Sequence, residues 1–164
     1  LRRSSAASDV YKRQEGTWTR YKPQKGKDIR GVSGFDTKEL TAISEKIHTL
    51  DEKLSVHKTI TKIFANRRKS VLEGRNIDWS TAEALAFGSL LKKGNPVRLV
   101  GQDTGRGTFS QRHSVLRNQI DNSRYIPLNN ISKDQKNFEV VDSLLSEFAV
   151  LGFEYGYSLS LIHI

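Results

Sequence analysis

The stretch PVRLVGQDTGRGTFSQRH, residues 96–113, is the segment that decides how the rest of this chain is interpreted. A proline comes before a short apolar run, 97–100, and this run predicts a buried strand. From Gly101 onward the chain is polar, charged and rich in glycine. In α/β proteins, binding and catalytic residues commonly lie in loops that follow a strand directly. A surface loop made of turn-forming residues is the alternative, and residue types alone slightly favour it.

A second strand and a closing helix are predicted after the loop. Residues 138–142 form a short, mostly apolar run that is typical of a strand. Residues 146–157 have the character of a helix, with Glu147 in its first turn. Helices that alternate with strands favour parallel strands. The sequence therefore predicts an α/β fold in which parallel strands are flanked by helices.

The segment around the first strand predicts a further helix and several short pieces. Ser80 and Glu83 have the spacing of a capping box, so we expect a helix to begin there and to stop at Gly94. The pieces after the loop are a helical turn, an extended segment and a loop, at residues 114–119, 125–128 and 131–137 respectively.

Two more helices are predicted in the first half of the chain. Asp36 and Glu39 favour a helix start, and apolar residues then recur at helical spacing. A second helix should end near Gly74, since glycine commonly terminates helices. His48 and His57 have no partners at metal-ligand spacing, so we interpret them as surface or packing residues.

Composition narrows the class of protein. The 164 residues carry a formal net charge of +9 and no cysteine, which excludes a disulfide framework and thiolate metal sites. A positive net charge is typical of proteins that bind nucleic acid, so a basic RNA-binding module is one alternative function. Acidic residues are interleaved with the basic ones, and this mixture is typical of solvent-exposed helix faces. We therefore expect no nucleic-acid partner. No apolar run has membrane-spanning length, so we expect no membrane partner.

Both ends of the sequence match a translated sequencing adapter. The codons GAT GTG TAT AAG AGA CAG encode DVYKRQ, residues 9–14, and their reverse complement encodes LSLIHI, residues 159–164. We therefore expect residues 1–14 and 159–164 to be adapter-derived artefacts, which are excluded from fold reasoning. Of the remainder, residues 15–75 are expected to be a helical connector, and residues 76–158 the N-terminal part of a second domain. We read the chain as an internal fragment of a larger protein.

Glu147 is the most informative acid outside the loop. A carboxylate at the start of a helix ordinarily interacts with the helix dipole. In apolar surroundings the pKa of such a group rises, and the group can share a proton with a ligand nitrogen. The residues around Glu147 alone leave both interpretations open.

Four motifs give this sequence a family resemblance. The stretches GQDTGRGTFSQRHSVL and LSEFAVLGFEYGYS, starting at Gly101 and Leu145, resemble the thiamine-diphosphate-dependent first component of the 2-oxoglutarate dehydrogenase complex. NIDWSTAEALAFG, starting at Asn76, is similar to the beginning of that family's pyrimidine-binding domain, and PLNNI, starting at Pro127, fits a segment further along. The resemblance covers residues 76–158 strongly and residues 15–75 more weakly.

The resemblance implies a fold, a reaction and a role for Glu147. The fold is a partial thiamine-diphosphate-binding domain of the pyrimidine type. The reaction is oxidative decarboxylation of 2-oxoglutarate in the tricarboxylic acid cycle, with transfer of the succinyl group to a lipoyl domain. Glu147 corresponds to the catalytic, cofactor-binding glutamate that hydrogen-bonds the aminopyrimidine ring and favours the tautomer able to remove a proton from the thiazolium ring. Phe148 departs from a second glutamate that is common there.

The resemblance also assigns expected roles to the loop. Gln102 and Asp103 would lie near the cofactor, and His113, Arg106 and Arg112 would hold or gate the dicarboxylate substrate. Of these three, His113 ranks first, because each arginine could instead anchor the loop or form a salt bridge between subunits. The resemblance implies Mg²⁺ with the diphosphate, and it implies that their ligands lie in an earlier domain outside this fragment, so we predict no metal site here. The fragment alone should be inactive.

Partners and location follow from the same resemblance. It implies a homodimer in the full-length protein, which works with a lipoyl-bearing succinyltransferase and a dihydrolipoyl dehydrogenase. The expected location is cytoplasmic in a bacterium and the mitochondrial matrix in a eukaryote. A 2-oxoadipate dehydrogenase or a 2-oxoglutarate carboligase is the alternative function, because side chains outside this segment select the substrate.

Overall fold

The structure is a computed structural model that describes residues 33–51, 54–143 and 146–159. The chain divides into two units, one spanning Gly34–Ser146 and the other combining Leu1–Ser33 with Glu147–Ile164. The stretches assigned to adapters lie outside the described residues, apart from Leu159, which ends a helix. Most of the early part of the connector, residues 15–32, lies outside them as well.

Two helices open the unit Gly34–Ser146, as predicted. Helix α1 spans Thr37–His48, and the Asp36 carboxylate caps it by accepting a hydrogen bond from the backbone amide of Lys38 at 3.2 Å. Helix α2 spans Lys58–Glu73 and ends at Gly74, whose φ of +64° is left-handed. Glycine takes this conformation without a Cβ clash, which explains why the helix stops there.

Helix α3 spans Trp79–Lys92 and begins earlier than the predicted capping box. Its cap is Asp78, whose carboxylate accepts a 2.6 Å hydrogen bond from the amide of Thr81. The capping box at Ser80 and Glu83 was therefore wrong. Ser80 is buried within the helix, and the Glu83 carboxylate binds a loop arginine instead of reaching back to the helix start. Asp78 precedes both residues, and its carboxylate already caps a free amide of the first turn.

The predicted pair of parallel strands is present. Strand β1 spans Val97–Gly101 and pairs in parallel with a strand spanning Phe138–Asp142, in a register that runs from Val97↔Phe138 to Gly101↔Asp142. The α/β fold class is thereby confirmed. Strand β1 is half-buried along its whole length, whereas a buried strand was expected. The paired register places the carboxyl ends of both strands at one edge of the sheet.

A short antiparallel hairpin lies between the parallel strands. Strand β2, Leu116–Arg117, pairs with β3, Arg124–Tyr125, and a 3₁₀ helix at Pro127–Asn129 follows. The strand at Phe138–Asp142 is thus β4 in chain order. The helical turn expected over residues 114–119 was wrong. Hydrogen bonds across the hairpin end, including Asn118 N–H to the Ser123 carbonyl at 3.0 Å, turn the chain back on itself instead.

One apolar core joins the helices to the sheet. It combines buried side chains from α1 and α2 with others from α3, the 3₁₀ helix and β4. Its buried members are Ile43, Ile47, Val71, Leu85, Leu91, Leu128, Ile131, Phe138 and Val140. Helix α3 packs closely enough that a Cβ added at Gly88 would lie 2.7 Å from Ile43 Cγ2. Residues before position 75 therefore share a core with those after it.

The helix predicted over residues 146–157 forms α4, Glu147–Leu159, which belongs to the other unit. Several of its large apolar side chains are exposed, including Phe148 and Leu151.

Candidate active-site loop

The glycine-rich loop follows β1 and is anchored to the end of β4. The Asp142 carboxylate oxygen Oδ1 accepts hydrogen bonds from Thr104 Oγ1 and from the Gly105 amide, each at 2.9 Å. Thr104 Oγ1 also lies 2.9 Å from the Val141 carbonyl. The Gly105 amide is the main reason that the pKa of Asp142 lies below its usual value. Asp142 thus fixes the loop to the neighbouring strand.

The loop backbone turns sharply in several places. Asp103, Ser110 and His113 all have φ values between +53° and +54°, a left-handed conformation that is uncommon for residues with a side chain. Gly107 has φ +84°, and a Cβ there would lie 2.5 Å from the Gln111 side-chain oxygen. These turns keep the loop compact, and the left-handed backbone at position 107 favours glycine.

The two loop arginines occupy different environments. Arg106 forms a 3.3 Å ion pair with Asp103, and its side chain is 57% exposed. Arg112 instead reaches α3 and makes a two-pronged contact with Glu83, at 2.6 Å from Nε to Oε1 and 3.2 Å from Nη2 to Oε2. Both side chains of this second pair are about four-fifths buried. Arg112 also donates to the Thr104 carbonyl at 3.2 Å. Arg112 therefore anchors the loop, whereas Arg106 faces solvent.

His113 borders a small cavity between the loop and the helices. The cavity has a volume of about 30 Å³, and His48, Phe64 and Arg67 also line it. His113 Nε2 is buried and has no hydrogen-bond partner among the described residues. Burial lowers the pKa of His113, and the positive charge of Arg67 lowers it further. The neutral imidazole is thus favoured here.

Arg67 connects α2 to the loop. Its side chain is 7% exposed and donates to two successive loop carbonyls, from Nη1 to Arg112 at 3.1 Å and from Nη2 to Gln111. Nearby, the buried ring of His48 lies 3.0 Å from Ser44 Oγ and packs edge-on against Phe64. Burial, aided by the charge of Arg67, lowers the pKa of His48 to about 4. His48 is thus a packing residue, as expected.

The remaining predicted site residues are exposed. Gln102 lies in a turn directly after β1. Glu147 is the first residue of α4 and is also exposed. His57 caps α2 by accepting a hydrogen bond from the Thr59 amide at 3.2 Å, which agrees with a surface role. The structure thus brings Gln102, Asp103 and the loop arginines together with His113, and it describes α4 separately.

A comparison with protein families identifies the domain that contains this loop. Residues 75–163 match the model of the transketolase pyrimidine-binding domain. The chain belongs to this family. The match includes the loop, both parallel strands and α4, which confirms the pyrimidine-type, thiamine-diphosphate-related fold expected from the sequence motifs.

Curated relatives in this family have consistent names. The chain is 53% identical over 129 residues to the "2-oxoglutarate dehydrogenase E1 component" of Rickettsia conorii, an alignment that covers 79% of this chain and 14% of the relative. It is 49% identical over 148 residues to the protein of the same name in Brucella anthropi, covering 89% of this chain and 15% of the relative. The chain thus spans about one seventh of the length of the relatives it matches.

The relatives confirm the resemblance seen in the sequence. Their names point to 2-oxoglutarate dehydrogenase, and they do not favour the 2-oxoadipate, carboligase or RNA-binding alternatives. The alignment to the Rickettsia conorii protein is longer than the matched pyrimidine-binding domain, so the likeness includes residues that precede the domain. The connector helices are therefore part of what these proteins share.

Two residues that hold the candidate site together were missed by the sequence analysis, one before the pyrimidine-binding domain and one within it. Arg67 lies at helical spacing between Phe64 and Val71, which are both buried. A charged residue in the apolar stripe of a helix was the available signal. Asp142 ends the second predicted strand, level with Gly101 at the end of β1, and that position beside the start of the loop was its signal.

No group of three or more potential metal-ligating side chains was found among the residues that the structure describes. The same part of the chain contains no helix that is both long and apolar enough to cross a membrane.

Proposed function

We propose that this segment contributes the pyrimidine-binding part of a thiamine-diphosphate-dependent 2-oxoglutarate dehydrogenase of the succinyl-transferring type, an enzyme of the tricarboxylic acid cycle. One observation carries the proposal, namely the match of residues 75–163 to the pyrimidine-binding domain together with 49–53% identity to 2-oxoglutarate dehydrogenase E1 components. In this proposal the substrate is 2-oxoglutarate and the succinyl group is passed to a lipoyl domain.

The residues of this chain fit one half of the cofactor. Thiamine diphosphate, when bound, supplies the electron sink for decarboxylation of a 2-oxo acid. Glu147 would hold the pyrimidine half through a charge-assisted hydrogen bond to a ring nitrogen, which raises the basicity of the neighbouring amino group. The carboxylate is exposed in the first turn of α4, which supports this role because a ligand can reach it.

The loop would serve the substrate and the cofactor from the end of β1. Gln102 and Asp103 are proposed to lie near the cofactor, and His113 is proposed to contact the dicarboxylate. Arg106 has a better case as a substrate contact than Arg112, because its side chain is exposed and its contacts, an ion pair with Asp103 and a hydrogen bond to Ser110 Oγ at 3.2 Å, are weak surface interactions. The guanidinium of Arg112 is already bound to Glu83 and to a backbone carbonyl.

Other parts of the enzyme complete the proposal. Mg²⁺ would accompany the diphosphate, and its ligands would come from outside this segment. The full-length protein would be a homodimer that works with a lipoyl-bearing succinyltransferase and a dihydrolipoyl dehydrogenase. We place it in the cytoplasm of a bacterium or the mitochondrial matrix of a eukaryote.

Glu147→Gln in the full-length protein tests the proposal. Glutamine keeps the size of the side chain but removes the charge, so we expect proton exchange at the thiazolium carbon of added thiamine diphosphate to slow by at least about 100-fold. Glu139→Gln is the matched control, because Glu139 is a half-exposed acid on β4 whose only described ion pair is a 3.7 Å contact with Arg98. Exchange that is equally fast in both variants and in the parent would refute the role of Glu147.

Substrate choice needs a separate measurement. We expect turnover of 2-oxoglutarate by the full-length protein to exceed that of 2-oxoadipate, with carbon dioxide release followed for both acids. A preference for 2-oxoadipate would contradict the assignment of the substrate while leaving the cofactor assignment intact.

A further inference from the structure

We propose that Arg67, which lies outside the pyrimidine-binding domain, is a positioning residue that fixes the backbone conformation of the loop segment carrying His113. The inference rests on the proposed function, because it gives His113 its role toward the 2-oxo acid. The matched domain begins at residue 75, so the loop within that domain is held by a side chain from a helix that precedes it.

The contact itself is a fork that binds two successive peptide carbonyls. Arg67 Nη1 donates to the Arg112 carbonyl at 3.1 Å, and Nη2 donates to the Gln111 carbonyl. These are the two residues immediately before His113. A planar guanidinium can hold two acceptors at fixed separation, whereas the ammonium group of lysine acts as a single point. The fork therefore fixes the orientation of the backbone that leads into His113.

His113 needs such support because of its backbone conformation. Its φ of +53° is left-handed, a conformation that persists only where neighbouring contacts hold it. Within the loop, the amides of Arg112 and His113 both donate to the Arg106 carbonyl, at 2.9 and 3.1 Å. Arg67 is a side chain from outside the loop that completes this arrangement from the opposite, carbonyl side. Its removal should therefore release His113 toward ordinary backbone conformations.

The charge of Arg67 acts on the same histidine. The titratable groups from other elements that line the cavity are His48 on α1 and the Glu83–Arg112 pair between α3 and the loop, and Asp78 before α3 faces Arg67. Asp78 lies 3.7 Å from Arg67 Nε, and Arg106 adds positive charge from the loop. Burial and the charge of Arg67 both lower the pKa of His113. Arg67 therefore favours the neutral form of the ring, in addition to fixing the backbone that carries it.

Two variants of the full-length protein separate the two effects. Arg67→Met removes the fork and the charge, whereas Arg67→Lys keeps the charge and loses the fork. We expect both variants to raise the KM for 2-oxoglutarate by about tenfold or more, because a small displacement of a substrate-holding group is costly. Only Arg67→Met should also move the lower limb of the pH profile of kcat/KM toward higher pH, since only it removes the positive charge. Arg68→Met is the matched control, because Arg68 is the next residue and forms an exposed ion pair with Glu45 at 3.3 Å. This control should leave both quantities unchanged.

Hydrogen–deuterium exchange keeps the inference testable if turnover is absent. In the full-length protein, the amides of the peptide covering residues 106–114 should exchange about tenfold faster in Arg67→Lys than in the parent or in Arg68→Met. Unchanged exchange in both Arg67 variants would overturn the positioning role. Faster exchange in a protein that does not turn over 2-oxoglutarate would support the loop contact and contradict the proposed function instead. If Arg67→Met does not fold, the exchange rates of Arg67→Lys alone decide whether Arg67 has the positioning role.

Discussion

Replacing Arg112 by methionine should destabilise the unit Gly34–Ser146 far more than the same change at Arg106, which lies six residues earlier in the same loop. Breaking a fully buried ion pair by removing one partner costs about 3–5 kcal/mol. The Arg112 guanidinium and the Glu83 carboxylate are 21% and 18% exposed, so solvent screens part of the lost interaction. We therefore expect a loss of about 2–3 kcal/mol in the free energy of unfolding. Methionine retains most of the apolar stem, so the loss reports the guanidinium.

Arg106→Met is the matched control. Its ion pair with Asp103 is exposed, at 57% and 37%, and such pairs contribute about 0–1 kcal/mol. Urea unfolding followed by circular dichroism gives both free energies. A double-mutant cycle with Glu83→Gln should return a coupling of at least about 1 kcal/mol for Arg112. Losses within about 0.5 kcal/mol of one another for the two single variants would refute the assignment of Arg112 as the internal anchor.

Two further predictions concern the core. Gly88→Ala should lower the free energy of unfolding, measured in thermal melts, by about 1–2 kcal/mol. The added Cβ would lie 2.7 Å from the stiff, β-branched side chain of Ile43. The cost of this clash exceeds the gain in helix propensity. Gly34→Ala, with nothing within 4 Å of the added Cβ, should change it by less than about 1 kcal/mol, and equal losses would count against the clash. His48 has a folded pKa of about 4, below its ordinary 6.5, so stability is full above pH 6.5 and falls as the pH is lowered from 6.5 toward 4, by at most about 3 kcal/mol in total. Urea midpoints measured at pH 7 and pH 4.5 check this prediction, and in a His48→Gln variant most of the difference between the two midpoints should disappear. An equally large difference between the midpoints of that variant would contradict the role of His48.

The sequence was most informative where local patterns determine structure. The apolar runs at residues 97–100 and 138–142 predicted the strands, and their parallel pairing followed from the helices that flank them. Gly74 ended its helix as expected, because a left-handed residue there favours glycine over any residue with a Cβ. These features depend on neighbours in the chain, so a single sequence is sufficient to predict them.

The features that the sequence analysis missed or left open depend on residues that are distant in the chain. The sequence does not distinguish Arg67 and Arg112 from the exposed arginines. What distinguishes them is a tertiary contact, from Arg67 to a residue 44 positions away and from Arg112 to a residue 29 positions away. Glu83 satisfied a local capping pattern, yet it pairs with Arg112 because Asp78 already caps the helix. The role of Glu147 was suggested by family resemblance and not by spacing, and it stays a prediction that the Glu147→Gln experiment tests.

The shared core has a practical consequence for anyone who subclones this region. A gene fragment cut at the family boundary, residue 75, would lack Ile43, Ile47 and Val71 and leave the opposing faces of α3 and β4 bare. Such a product should be prone to insoluble expression and rapid proteolysis. Placing the cut before Asp36 retains both connector helices and the cap of the first one. The start of the matched domain and the limit of cooperative folding thus fall at different positions in this protein.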